Sequence, residues 1–204
     1  MKKRLLYPLL LIVLLLAVAH LVSNSISPAF REKFNLNQEG NVPTWFSTVL
    51  LFWIALNSFR IYKANAQVQN TVRLSQIFWG LMSAAFLFLS LDEGAQVHEL
   101  FALLNLPHWF LIYAPFIILF LFLTYYYLFC ENCGKELRAW LGWGFVLYIL
   151  GAFFFELITY VLSPLSPTLM EVEYVLEESL EMVGAILILM GTQHHLQQIE
   201  DQTP

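Results

Sequence analysis

Apolar runs of about twenty residues recur along this chain between short polar links, the length at which an α-helix crosses roughly 30 Å of hydrocarbon. They predict spans at about 5–23, 44–61, 74–93, 109–129, 139–162 and 172–192. The third helix is expected to continue to about residue 103, and SPLSP breaks the chain before the sixth span. The resulting fold class is all-α: a polytopic transmembrane helical bundle of about six spans, with residues 1–204 as a single integral membrane domain. The basic MKKR start and Ala17-Val18-Ala19 resemble a secretory signal and its cleavage site. The apolar run continues past that site, so it reads as an uncleaved first span.

Composition narrows the classes further. With 59% hydrophobic residues and 12% charged ones, the chain carries about half the usual ~25% of charge and is no ordinary soluble domain. Its two cysteines, Cys130 and Cys133, have CxxC spacing but no second pair, so neither a disulfide framework nor a zinc ribbon is indicated. There is no basic patch for nucleic acid, no nucleotide-binding glycine loop and no serine-nucleophile motif.

Charge distribution supplies an orientation. If the N-terminus is cytoplasmic, Lys2, Lys3, Arg4, Arg60, Lys63, Arg73, Lys135 and Arg138 fall inside, and only Arg31 and Lys33 fall outside. Both termini are then cytoplasmic. Glu131, Glu136, Glu200 and Asp201 lie inside, whereas the other eleven acids lie outside or in the outer half of a span. An acidic outer mouth favours cations.

Two acidic groups stand out. Asp92, Glu93, His98 and Glu99 close the third span, with Asp92, Gln96 and Glu99 spaced for one face of a continuing helix. Glu171, Glu173, Glu177, Glu178 and Glu181 run into MVGAILILMG, with Glu173, Glu177 and Glu181 forming a stripe. Glu181 falls about 16 Å above the inner boundary, and Glu156 about 9 Å below the outer end of span five. Carboxylates at such depth must share protons, pair with cations or bind a metal, and they mark functional sites by default. The expected metal ligands are Asp92, His98, Glu99, Glu156 and Glu181, with Glu178 as general base. A divalent metal ion such as Zn, Mn or Fe suits that set, and Ca or Mg suits it if His98 stays out. His20 is a further candidate ligand. Glu171 and Glu173 are expected to serve the helix N-terminus, and His194 and His195 to be solvated.

Three stretches, FNLNQEGNVPTWFS (34–47), SLDEGAQVHE (90–99) and Glu156 followed by EESLEMVG (177–184), together resemble a family of uncharacterised bacterial six-span inner-membrane proteins. The resemblance implies the bacterial cytoplasmic (inner) membrane and supports the fold and the choice of residues, but it brings no activity. The HxxxH pair of ceramidase-like membrane hydrolases is absent, as is a paired ExxH of di-iron carboxylate bundles in the outer half. The functional expectation is an outward-facing acidic and histidine pocket binding a metal or cation, in its enzyme form a metal-dependent hydrolase of a lipid-like substrate. The alternatives are a proton- or cation-coupled transporter and a non-catalytic assembly subunit. Expected partners are membrane lipids, a lipid-like or cationic small ligand and a periplasmic protein.

Overall fold

The computed structural model describes residues 2–67, 73–104, 108–131, 133–162 and 166–201; for Lys2, Lys3, Gln67, Arg73, Ala102, Leu103, Phe110, Glu156, Leu162 and Pro167 it describes backbone only. Every regular element among them is helical: α1 (Lys2–Ile26), α2 (Pro28–Phe34), α3 (Val42–Gln67), α4 (Arg73–Ala95), α5 (Glu99–Leu103), α6 (Trp109–Cys130), α7 (Lys135–Ile149), a π-helical segment (Leu150–Phe155), α8 (Glu156–Leu162) and α9 (Pro167–Glu200). Among the described residues, five stretches are long and apolar enough to cross a membrane: Arg4–Ile26, Val42–Ala66, Leu74–Ala95, Leu111–Cys130 and Lys135–Val161. The longest helix, α9, is not among them, because its acids depress its hydropathy.

α9 has little need to be apolar all round, since α1, α3, α7 and the π segment pack around it. Its C-terminal half is sealed, with Met182, Ala185, Ile186, Ile188, Leu189, Met190 and Thr192 all buried. Glycines bring the axes together. A Cβ on Gly144 would lie 2.6 Å from Ile188, and one on Gly184 would meet the Tyr148 backbone. Such small-residue contacts are how helices approach closely without a side chain between them.

α3 and α4 form the other main pair, tied by the Ser83 hydroxyl donating to Ala55 O and the Ser90 hydroxyl donating to Thr48 O, both at 3.0 Å. At the far end of α4, the Phe78 ring stacks on Tyr127 at 4.0 Å, and Trp79 Nε1 donates to the Tyr127 hydroxyl at 2.9 Å. α6 touches the bundle chiefly through α4 and α5. Phe116, Ile118, Leu119 and Phe122 remain exposed along it.

Local signals explain the helix starts. Ser27 and Ser166 cap α2 and α9, each followed by a proline that suits the first helical position. Asn41 caps α3: its Oδ1 accepts from Thr44 N at 3.2 Å, and its side-chain amide donates to Asn35 O at 2.6 Å. Gly40, at φ +73°, adopts the left-handed turn that precedes it.

One expectation is overturned. α4 does not continue to residue 103; it ends at Ala95, Gln96 turns left-handed at φ 55°, and α5 restarts at Glu99. The Asp92 carboxylate holds this break by accepting the His98 backbone N–H at 2.8 Å. Asp92, Gln96 and Glu99 therefore do not share one helical face.

Candidate functional site: an acid-headed apolar cavity

A cavity of about 750 Å³ lies between α4, α6, the α7–π segment and the first half of α9, roofed by Leu36, Asn37 and Glu39 from the loop before α3. Its lining runs from Leu81 to Glu93 on α4 and from Trp109 to Leu123 on α6, roughly 18–21 Å of helix at 1.5 Å per residue. Phenylalanines, leucines and isoleucines make its walls. Its polar groups gather where Glu39, Asp92, Glu93, His98, Glu177, Glu178 and Glu181 converge.

α9 sets three of those acids by simple periodicity. Tyr174, Glu177, Glu178 and Glu181 are spaced three and four apart, so they fall on one helical face and line the cavity together. Glu173, one turn earlier on the same stripe, does not line the cavity and accepts from the Thr159 hydroxyl on α8 at 2.7 Å. The π segment fits against this face. A Cβ on Gly151 would come within 2.6 Å of Glu181 Cγ and 2.7 Å of Glu177 O, so only glycine admits the approach. Single π turns inside α-helices recur at functional sites.

Among the described residues His98 is the only base lining the cavity, and both of its ring nitrogens face acids. Nε2 lies 3.1 Å from Glu39 Oε1, and Nδ1 lies 3.3 Å from Asp92 Oδ2. The bond to Asp92, then that to Glu39, pushes the imidazole up to about 10 from its ordinary 6.5, so it is an imidazolium at neutral pH. Asp92 also accepts from the Tyr113 hydroxyl at 3.4 Å, and Trp109 packs beside His98 with ring centroids 5.8 Å apart.

The residues selected from sequence therefore divide. Asp92, His98, Glu178 and Glu181 line the cavity, whereas Glu99 is exposed and does not line it. Glu156 opens α8, and its side chain lies outside the described residues. Among the described residues, no three His, Cys, Asp or Glu side chains are grouped as a metal centre would require. Glu39 was missed because its role depends on a contact far along the chain; the left-handed Gly40 beside it is the local sign of a built loop.

Histidines outside the cavity have structural partners. His20 is buried, with Nδ1 accepting from Leu36 N at 3.0 Å and Nε2 lying 2.9 Å from Glu171 Oε2, which Arg31 also binds at 3.0 Å. This clasp ties α1 and α2 to the start of α9. His194 and His195 are not solvated as expected: His194 lies 3.0 Å from Glu136, and His195 stacks on Trp79 at 5.2 Å. Cys130 is an exposed free thiol; Cys133 is a buried one, and burial pushes it up, away from the thiolate.

A family model described as a domain of unknown function (DUF8692) matches residues 7–196. No curated protein and no solved structure gives a significant match.

Proposed function

The chain belongs to the DUF8692 family of unknown function, and from its cavity we propose a six-span inner-membrane protein that binds an amphiphilic small molecule from the outer leaflet. The observation that carries this is one cavity with two chemistries: long apolar walls and a head of converging carboxylates. Ligand sites have this character, with mostly apolar lining and a few placed polar groups that fix orientation. The gap between α4 and α6 offers a route from the bilayer, since Leu81, Phe88, Phe116 and Leu119 both line the cavity and remain exposed.

Binding of an amphiphile is preferred to the metal-centred hydrolase because His98 already spends both nitrogens on carboxylates. A metal there would have to take His98 from Asp92 or Glu39. Glu99 would also have to come in from the exterior.

The test uses full-length protein in zwitterionic nanodiscs and titration with dodecyl-chain ligands, with empty nanodiscs as the blank. Saturable binding is expected for the wild type, weakened about tenfold or more in Ala85→Trp, which fills the wall. Equal binding by wild type and Ala85→Trp, or none above the blank, would sink the reading.

A further inference from the structure

We infer that the head of the bound amphiphile is a protonated amine, so that the physiological ligand class is the single-chain cationic lipid or long-chain amine. The inference rests on the amphiphile-binding reading and adds the charge of the ligand to it.

The argument begins with what the cavity lacks. Among the described residues, six carboxyl groups line it, from Glu39, Asp92, Glu93, Glu177, Glu178 and Glu181, and no lysine or arginine does. The two cations nearest in sequence to Glu39 are committed elsewhere, Arg31 to Glu171 and Lys33 to Glu32. His98 is held by Glu39 and Asp92. One imidazolium, shared between Glu39 and Asp92 at the rim, is therefore the one base that the described lining sets against these carboxyl groups.

Glu93 and Glu178 are the second observation. Both are half-buried and line the cavity. Among the described residues, neither has a hydrogen-bond or ion-pair partner. A buried polar group without a partner is costly, and an unpaired buried charge far more so. An ammonium head carries three N–H donors, enough to serve more than one carboxylate at once. Trp109 and Tyr113, which line the same end, add faces that attract a cation. An anionic head would meet one imidazolium already held by two carboxylates among an excess of acids, and a neutral one would leave the acids as they are.

The experiment compares dodecylamine, dodecanol and dodecyl sulfate on the full-length protein in zwitterionic nanodiscs near neutral pH, subtracting empty discs. The amine should bind about tenfold or more tighter than the alcohol, and the sulfate weakest. In the Glu93→Gln/Glu178→Gln double variant, alcohol binding should persist while the amine's advantage collapses. Persistent alcohol binding also certifies that the variant is folded. Should the double variant lose the alcohol too, Glu178→Gln alone, which keeps the side chain's shape, takes its place. Dodecanol binding as tightly as dodecylamine, or an amine preference that survives the carboxamides, overturns the inference and leaves the pocket reading standing. Binding of none of the three chains overturns the reading beneath it.

Discussion

The two halves of α9 are built to opposite specifications. From Met182 to Thr192 the helix is largely enclosed, glycine-seamed against α7, with most of its residues almost fully buried. Before Met182 the same helix turns carboxylates toward about 750 Å³ of open cavity. Protein interiors hold few voids larger than a water molecule. A chain that packs one half of a helix so closely has the side chains to close the other half as well. The open half thus reads as a volume kept for an occupant.

The strongest way to break this comparison is to attack the sealed half. Gly184→Ala should destabilise by roughly 3 kcal/mol, the upper end of overpacking effects, because its Cβ meets the Tyr148 backbone rather than a yielding side chain. Thermal unfolding in detergent reads this directly. An unchanged midpoint would mean that the two helices are not in contact there.

An intermediate effect belongs to the rim of the open half. His98 holds Asp92 and Glu39 as an imidazolium, and its replacement by glutamine should cost about 1–3 kcal/mol. The sign in pH follows from a folded value raised to about 10 over an ordinary 6.5. The histidine's contribution is fully present below the lower value and is lost as pH rises through the upper one. Midpoints measured between these two limits should fall with pH in the wild type and flatten in His98→Gln. A wild-type profile as flat as the variant's would remove the imidazolium from the account.

The smallest effect should come from the wall. Phe116 lines the cavity yet is 71% exposed, so Phe116→Ala should shift stability by no more than about 0.5 kcal/mol while weakening binding of a dodecyl chain. A stability loss comparable to that of Gly184→Ala would show that the wall is part of the core and would erase the contrast.

Much of this was legible in the sequence, for identifiable reasons. Apolar run length predicted helices, and spacing of three and four placed Glu178 and Glu181 together, because both are local periodic properties of one helix. What escaped depended on contacts between distant segments. Glu39 gains its role from His98, and the break at Gln96 is held by the side chain of Asp92 reaching past it. Extending α4 through that break placed Glu99 on the wrong surface. His194 was misjudged for the same reason, since Glu136 on α7 is invisible from the neighbourhood of α9.

The π turn at Leu150–Phe155 has a consequence for how this protein can change. An α-helix advances about 100° per residue, so one residue gained or lost within a helix rotates everything beyond it by that angle. A π turn is such an extra residue already accommodated, and here it lies where Gly151 rests against Glu177 and Glu181. Deleting one residue from 150–155 would restore regular winding and leave α8 near its present azimuth, but it would remove the wide turn that rests against α9. The wide turn facing the acids is therefore present or absent with a single residue, a discrete setting that substitutions elsewhere in the helix cannot reproduce.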